Sequence, residues 1–181
     1  MSKLVILDRD GVINHDSDDY IKTVDEWVPI HGSLEAISRL KRAGYQVAVA
    51  SNQSGLARGY FTVDTLRAMH DKMESLLAQR GAGVDGIFYC PHGPDEGCNC
   101  RKPKPGLLLQ IAKQFDIQLS NTFFVGDTQS DVLAARTAGA KPALVKTGKG
   151  QRTLEHHGPF EDAPIFDDLS HFVRDLLAHD R

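Results

Sequence analysis

The stretch KLVILDRDGVIN, residues 3–14, contains four consecutive apolar residues, then two aspartates separated by one residue, then a glycine. The apolar run has the length of a buried strand, and Asp8-x-Asp10-Gly predicts a turn at its carboxyl end. Two carboxylates at such a position repel each other, and burial penalises the charge of both. This cost indicates that the pair serves chemistry rather than packing.

Four more apolar runs of strand length follow, with segments of helical periodicity between the runs. The runs cover residues 47–50, 87–89, 123–125 and 143–145, and the helical segments cover 34–40, 66–77, 107–115, 132–138 and 169–177. Strands that are apolar on both faces and alternate with helices are typical of a parallel sheet covered on both sides. We therefore predict a doubly wound, Rossmann-like α/β fold with about five or six strands.

The alternation is not interrupted by a repeat, a low-complexity tract or a long linker. We therefore expect residues 1–181 to form one domain, without a large cap domain. Ser33 and Thr62 each precede a helical segment, and both are predicted N-caps.

The composition excludes several classes of function. The chain has 41% hydrophobic and 25% charged residues and a net charge of -3, so it provides no long basic surface for nucleic acid. No apolar window reaches the length of a membrane span, and the LVIL run is too short for a signal peptide. We expect a cytoplasmic monomer that acts on a small molecule.

Polar side chains follow the predicted strands at their carboxyl ends. Asp8 and Asp10 follow the first strand, Ser51 follows the second, and Asp127 follows the fourth within FFVGDTQSD, residues 123–131. Because parallel strands end at the same edge of a sheet, we expect these side chains to lie close together. Several carboxylates are tolerated in one crevice when a hard cation lies among them, and oxygen ligands suit Mg²⁺.

Ser51 and Lys102 add a hydroxyl donor and a cation, the groups that hold phosphoryl oxygens beside a metal ion. With them the chain resembles the haloacid dehalogenase-like phosphatases, whose four motifs match Asp8-x-Asp10, Ser51, Lys102 and GDTQSD with Asp127. The resemblance covers nearly the whole chain. Val12 departs from the commonest first motif, in which Thr stands at this position, but it lies beyond the two aspartates.

The resemblance implies a role for each acid. Asp8 would attack phosphorus and form an aspartyl-phosphate, while Asp10 would protonate the leaving alkoxide and later deprotonate the hydrolytic water. Mg²⁺ would be held by Asp8, by the main-chain carbonyl of Asp10 and by Asp127. Asp8 would stay ionised on the metal while its neighbour carries a proton. Asp131 is expected to anchor the following helix or to support the metal site, and direct binding of the ion is the alternative.

All three cysteines lie in CPHGPDEGCNCRKPKPG, residues 90–106. The Cys-x-His-x₅-Cys-x-Cys spacing predicts a closed structural zinc site with Cys90, His92, Cys98 and Cys100 as ligands, in a loop over residues 90–105. The alternative is three solitary cysteines and an exposed histidine. The other histidines show no ligand spacing and are expected at the surface: His15, His31, His70, His156, His157, His171 and His179.

Short intervals after the first and second motifs leave loops to select the substrate. DRDGVIN, WVPIHGSLEAI, SNQSGLARG, the cysteine loop and CRKPKPG together resemble the family of heptose bisphosphate phosphatases. This resemblance implies hydrolysis of the C7 phosphate of a heptose 1,7-bisphosphate, in the synthesis of ADP- or GDP-heptose for bacterial lipopolysaccharide core. It also implies that Arg101 contacts the second phosphate. The sugar-binding loop would consist of Asn52, Gln53, Ser54 and Arg58. Arg58 alone is equally consistent with a solvated loop cation.

Two other functions fit parts of the sequence. A histidinol-phosphate phosphatase would share the catalytic residues and the zinc loop, but Arg58, Arg101 and Lys102 favour a bisphosphate. A receiver-type signalling domain also gathers carboxylates, a hydroxyl and a lysine around Mg²⁺. Receivers are shorter, lack zinc loops and place the phosphorylated aspartate after a different strand, so this class is the weaker alternative.

Overall fold

The structure is a computed structural model that describes residues 3–156, 158, 160 and 162–180. Within these residues six strands and six helices alternate along the chain, with a short 3₁₀ turn at Leu119–Asn121 before the fourth strand. The strands are β1 (Lys3–Leu7), β2 (Tyr45–Asn52), β3 (Gly86–Cys90), β4 (Phe123–Gly126), β5 (Lys141–Val145) and β6 (Ile165–Phe166). The helices are α1 (Ser33–Arg42), α2 (Val63–Ala78), α3 (Gly106–Phe115), α4 (Gln129–Ala138), α5 (Gly150–Leu154) and α6 (Leu169–His179).

All six strands belong to one parallel sheet in the order β3-β2-β1-β4-β5-β6. The predicted doubly wound fold is therefore confirmed. The sequence did not predict β6 or α5, because strands and helices of two and five residues are too short to show a hydrophobic period.

The core lies on both faces of the sheet. Alternate residues of a strand point to opposite faces, so Val5 and Leu7 pack with α1, α2 and α6, while Leu4 and Ile6 pack with α3 and α4. All four side chains are at most 3% exposed. This two-sided burial explains why the first strand is apolar at every position before Asp8.

The strand order reverses next to β1, which pairs with β2 on one side and with β4 on the other. Leu7 is in register with Val49 of β2 and with Val125 of β4. The residues that follow these three strands therefore emerge beside one another. In open parallel sheets this position is where ligands bind.

One of the two predicted N-caps is correct. Thr62 accepts a hydrogen bond from the Thr65 backbone at 3.2 Å and caps α2. Gly32 is the N-cap of α1, whereas Ser33 lies inside the first turn and donates its Oγ to the Val12 carbonyl at 2.8 Å. Ser33 therefore ties the helix to the loop that follows β1, and the prediction that it caps the helix is wrong.

Two loops border this edge, residues 8–32 after β1 and residues 53–62 after β2. The segments between β1 and α1 and between β2 and α2 carry no additional sheet or helix of their own, in agreement with the absence of a large cap domain. Among the described helices, none combines the length and the apolar character that crossing a membrane requires.

Candidate active site

A pocket of about 340 Å³ opens at the carboxyl ends of β1, β2 and β4. Eight of the residues predicted from the sequence line it: Asp8, Asp10, Asn52, Gln53, Ser54, Arg101, Lys102 and Asp127. Ser51 and Arg58 are not among its lining residues. The parallel sheet thus brings most of the predicted site to one place, as the strand ends require.

Lys102 contacts carboxylates from the first and the last predicted motif, Asp8 and Asp131. Its Nζ lies 3.0 Å from Oδ1 of Asp8 and 2.8 Å from Oδ1 of Asp131, and it donates to the Ala50 carbonyl at 3.0 Å. Although burial alone would lower it, the carboxylates of Asp131 and Asp8 raise the pKa of Lys102 above its ordinary value. The lysine therefore stays charged inside the pocket wall.

Asp131 anchors α4. Its Oδ2 accepts hydrogen bonds from the Asp127 and Thr128 backbone amides at 3.1 Å, and Thr128 accepts in return from the Asp131 backbone. This capping box positions Asp127 and holds Oδ1 of Asp131 against Lys102. Asp131 therefore anchors α4, and one of its oxygens also lies near those of Asp8 and Asp127.

Asp127 sits in a tight glycine cradle. A Cβ atom on Gly11 or Gly148 would come within 2.1 or 2.4 Å of the Asp127 carboxylate, and both glycines have a positive φ. The Lys149 backbone amide donates to Oδ2 of Asp127 at 2.8 Å. Only glycine allows the two neighbouring loops to approach this carboxylate so closely.

The oxygens of Asp8, Asp127 and Asp131 lie within 4.8 Å of one another. Burial, followed by the charge of Asp131, raises the pKa of Asp8 to about 8. Burial and the charge of Asp8 raise the pKa of Asp127 well above its ordinary value. Such a group of oxygen donors fits a hard divalent cation, which would make both carboxylates ionise.

Asp10 lies in a different environment from Asp8. Burial opposes ionisation, but the Arg9 guanidinium and a hydrogen bond from Asn14 hold the pKa of Asp10 below its ordinary value. Without a cation, the order of the two pKa values is thus the reverse of the one predicted from the sequence. A cation on Asp8 would lower the pKa of Asp8 more than that of Asp10, since its charge acts most strongly on the carboxylate that it touches.

The side chains of Gln53 and Asn52 form hydrogen bonds with other residues of the pocket wall and with Ser51. The Gln53 amide donates to Oδ2 of Asp10 at 3.0 Å and to Oγ of Ser51 at 2.8 Å. Asn52 exchanges two hydrogen bonds with the Lys102 backbone, at 3.0 and 3.1 Å. Ser51 is 1% exposed and lies below the pocket surface. These side chains therefore connect the end of β2 to Asp10 and Lys102.

The two predicted arginines lie in different positions. Arg101 lines the pocket and donates to the His92 carbonyl at 3.4 Å. The Arg58 guanidinium lies over the Tyr20 ring, 5.8 Å from its centroid, and Tyr20 also packs against Tyr60 at 5.1 Å. Tyr20 lines the pocket with a φ of 67°, a conformation that non-glycine residues rarely adopt.

The cysteine loop forms a compact cluster. Sγ of Cys90 lies 2.9 Å from Cys100, 3.6 Å from Cys98 and 3.5 Å from Nδ1 of His92. A tetrahedral zinc ion places its sulfur ligands roughly 3.8 Å apart. The Cys90–Cys98 distance is close to this value, whereas the Cys90–Cys100 distance is shorter. Burial and a hydrogen bond with Cys100 raise the pKa of Cys90 to about 12, and a bound cation would offset this cost.

Sequence reasoning missed several residues that line the pocket, among them Asp16, Asp18 and Lys149. Lys149 pairs with Asp16 at 3.3 Å, and the Arg152 guanidinium donates to both oxygens of Asp18. These pairs connect the loop after β1 to the start of α5. The sequence places Asp16, Asp18 and Lys149 in loops that could select the substrate, NHDSDDYI and KTGKG, but does not specify their partners.

The buried contacts of Arg9 and His70 were also missed. His70 is 8% exposed and its ring lies 3.3 Å from Nη1 of Arg9, so the prediction that it lies at the surface is wrong. His15, His31, His156 and His179 are exposed as predicted, and His171 is half-buried. His157 lies outside the described residues.

Comparison with known proteins identifies the family. A family model described as HAD-hydrolase-like matches residues 99–172. A D-glycero-beta-D-manno-heptose-1,7-bisphosphate 7-phosphatase of Pseudomonas putida is 59% identical, over 97% of this chain and 99% of the relative. The chain belongs to this family of heptose bisphosphate phosphatases. A family member of the same name from Neisseria meningitidis is 53% identical over 97% of this chain and 95% of the relative.

A solved structure of the family has the same fold. The D,D-heptose 1,7-bisphosphate phosphatase from Bordetella bronchiseptica, crystallised with magnesium and phosphate, matches with a TM-score of 0.95 and 52% identity. The match covers 97% of this chain and 98% of that chain. The heptose bisphosphate phosphatases therefore include a member in which magnesium and phosphate bind to a nearly superimposable chain.

Proposed function

We propose that this chain hydrolyses the C7 phosphate of D-glycero-β-D-manno-heptose 1,7-bisphosphate. The observation that carries the proposal is the buried group of Asp8, Lys102 and Asp127 at the edge of an open pocket, in a chain that matches named phosphatases over almost its full length. The names of these relatives specify the beta anomer. The product would enter the synthesis of a nucleotide-activated heptose for lipopolysaccharide core, a cytoplasmic process.

Asp8 is the proposed nucleophile. One of its carboxylate oxygens attacks phosphorus, the bond between phosphorus and the C7 oxygen breaks, and the electron pair stays on that oxygen. Lys102, 3.0 Å from Oδ1 of Asp8, binds an oxygen of the phosphoryl group as charge develops on it. The products of this step are an aspartyl-phosphate and heptose 1-phosphate, whose C7 oxygen needs a proton as it leaves.

Asp10 is the proposed proton carrier. It gives a proton to the C7 oxygen as that oxygen leaves, and it then accepts a proton from the water that attacks the aspartyl-phosphate. The second attack breaks the bond between Asp8 and phosphorus and releases inorganic phosphate. Both transfers require Asp10 to face the pocket, where its side chain is 21% exposed.

Asp8, Asp127 and the main-chain carbonyl of Asp10 would hold Mg²⁺. Burial and neighbouring carboxylates raise the pKa of both side chains even though Lys102 contacts Asp8, and this fits a site for a divalent cation. When bound, the ion neutralises charge on the phosphoryl oxygens. Lys102 and Asp131 complete the site, because their ion pair keeps the lysine directed toward Asp8.

Residues 90–105 form, in this proposal, a zinc-binding loop of a single phosphatase domain. Cys90, His92, Cys98 and Cys100 supply four donors and leave no open position for substrate, so the zinc role is structural. The loop leads directly into Arg101 and Lys102. A bound zinc ion would therefore hold two pocket residues in place across a segment that contains glycines and prolines.

The sugar and its second phosphate would contact the remaining pocket wall. Arg101 is the proposed partner of the C1 phosphate, because the residue lines the pocket and a guanidinium can bind a phosphate through two hydrogen bonds. Ser54 and Asn52 line the same wall. We propose a monomeric enzyme with a small phosphorylated sugar as its partner.

Steady-state phosphate release with Mg²⁺ tests the function. The substrates are both anomers of D-glycero-D-manno-heptose 1,7-bisphosphate, histidinol phosphate and fructose 1,6-bisphosphate. A kcat/KM preference for the beta anomer of about a hundredfold, or about 2.7 kcal/mol of differential transition-state binding, supports the proposal. A preference for histidinol phosphate would overturn it, and a stoichiometric burst without turnover would indicate a receiver-type switch.

A further inference from the structure

Arg9 is a charged residue whose side chain is completely buried. It lies between the two aspartates of the first motif in the sequence, and its side chain is 0% exposed. Arginine is rarely buried without partners, because removing a cation from water costs several kcal/mol unless other groups compensate its charge. The contacts of the guanidinium therefore indicate the role of Arg9.

One side of the Arg9 guanidinium binds Asp10. Its Nε and Nη2 both donate to Oδ1 of Asp10, at 3.1 and 2.8 Å, and Nδ2 of Asn14 donates to the same oxygen at 2.8 Å. Three donors exceed the two lone pairs of this oxygen, so no acceptor capacity remains on it for another partner. Oδ2 of Asp10 accepts one hydrogen bond, from Gln53 at 3.0 Å, and retains a lone pair for another partner.

The opposite side of the guanidinium is held by α2. Nη1 of Arg9 lies 3.3 Å from Nε2 of His70 and 3.9 Å from the sulfur of Met69. Burial and the nearby Arg9 charge lower the pKa of His70 to about 4, so its neutral ring can accept the hydrogen bond. The guanidinium thus has fixed contacts at both ends and cannot rotate away from Asp10.

We propose that Arg9 is a positioning residue for proton transfer by Asp10. By engaging Oδ1 with two of its donors, Arg9 leaves Oδ2 as the oxygen that meets the leaving group and the hydrolytic water. Asn14 and Gln53 support this orientation, and His70 and Met69 hold Arg9 itself. This inference rests on the proposed phosphatase function, in which Asp10 transfers the proton.

The choice of leaving group separates positioning from a general structural role. A sugar alkoxide needs a proton as it leaves, whereas p-nitrophenolate is stable without one at neutral pH. We compare kcat/KM for the heptose bisphosphate and for p-nitrophenyl phosphate, because kcat/KM reports on phosphorylation of the enzyme and not on the later hydrolysis. We expect Arg9→Met to lower kcat/KM about 30-fold or more with the sugar and at most about fivefold with the aryl ester.

A double-mutant cycle tests whether Arg9 acts through Asp10. Asp10→Asn lowers sugar turnover by itself, and adding Arg9→Met should change it by less than about twofold further, since the group that Arg9 positions is already inactive. Arg67→Met is the matched control, because the Arg67 side chain is 71% exposed on α2 and lies outside the pocket. This control should match wild type with both substrates.

Equal losses of kcat/KM with the two substrates, or additive losses in the cycle, would overturn the proposal. If Arg9→Met does not fold, Arg9→Lys is measured instead; it keeps the charge, and it should show the same difference between the substrates. If wild type prefers another alkyl phosphate, the proposed substrate is wrong. The same comparison with that alkyl phosphate still tests Arg9.

Discussion

The Nζ atom of Lys102 lies 3.0 Å from Oδ1 of Asp8, although the two residues come from distant parts of the chain. The contact places a fixed positive charge beside the proposed nucleophile. An incoming phosphoryl group would meet both groups at once, so attack and charge stabilisation occur at the same point of the pocket.

Replacement of Asp8 by Asn should abolish turnover without unfolding the protein. The amide keeps the shape of the carboxyl group but cannot form an acyl phosphate by attack on phosphorus. We expect activity below about 0.1% of wild type and a Tm within about 5 °C of it. Phosphate release and thermal unfolding measure the two effects. Asp64→Asn, at a position with a 93% exposed side chain, is the matched control and should retain full activity.

Stabilisation by Mg²⁺ should increase with pH between about 6.5 and 8. In the metal-free folded protein Asp8 retains its proton up to a pKa of about 8, whereas the unfolded chain has already lost it. The cation needs the carboxylate, so raising the pH removes a proton that competes with it. The gain in unfolding free energy caused by Mg²⁺ should rise by up to about 1.4 kcal/mol per pH unit for one such proton.

Urea denaturation with and without Mg²⁺ at several pH values measures this difference, in which groups distant from the cation cancel. Asp127→Asn removes one proposed ligand and should reduce the Mg²⁺ effect at every pH. An effect of Mg²⁺ that is constant over this range would show that Asp8 does not hold a proton in the metal-free protein.

Cys98→Ser should lose zinc and most turnover while the sheet remains folded. The loop would no longer hold Arg101 and Lys102 in place, so kcat/KM should fall by at least about tenfold. Metal analysis, activity and circular dichroism of the same preparation give the three readouts. His31→Ala changes an exposed histidine outside the cluster and should retain zinc and activity. Wild-type activity in a zinc-free Cys98→Ser protein would contradict the proposed role of the loop.

Arg101→Ala should weaken binding of the bisphosphate selectively. If Arg101 contacts the C1 phosphate, its removal should raise KM for heptose 1,7-bisphosphate about tenfold and change kcat/KM for heptose 7-phosphate by less than about threefold. Arg67→Ala is the control for loss of an arginine. Zinc content must also be measured, because Arg101 contacts the His92 carbonyl. Equal losses with both substrates would exclude a specific contact to the second phosphate.

The fold follows from hydrophobic patterns that are strong over short distances. Five of the six strands were predicted because each is apolar on both faces, and the sixth was missed because Ile165–Phe166 is too short to show a pattern. Ser33 has the right residue type for an N-cap, yet its Oγ donates to the Val12 carbonyl. This hydrogen bond depends on the loop after β1, which lies near Ser33 only in the tertiary structure.

The site was predicted as far as strand ends determine it. Asp8 and Asp127 emerge side by side because β1 and β4 are neighbours, and a motif after a strand carries that information. The Gln53 amide donates hydrogen bonds to Asp10 and Ser51. The sequence does not predict these contacts, because they depend on the tertiary structure. The burial of Arg9 likewise depends on its contact with α2, a helix that the sequence predicts without indicating what it packs against.

The central position of β1 has a consequence for the order in which the site can assemble. β1 precedes the other described strands in the chain, but its β4 neighbour and the residues Lys102, Asp127 and Asp131 come from the second half of residues 1–181. A nascent chain that ends before β4 exposes one edge of β1, and its Asp8 lacks these partners. Ribosome-bound chains shorter than this point should therefore be inactive and should depend on chaperones until β4 emerges.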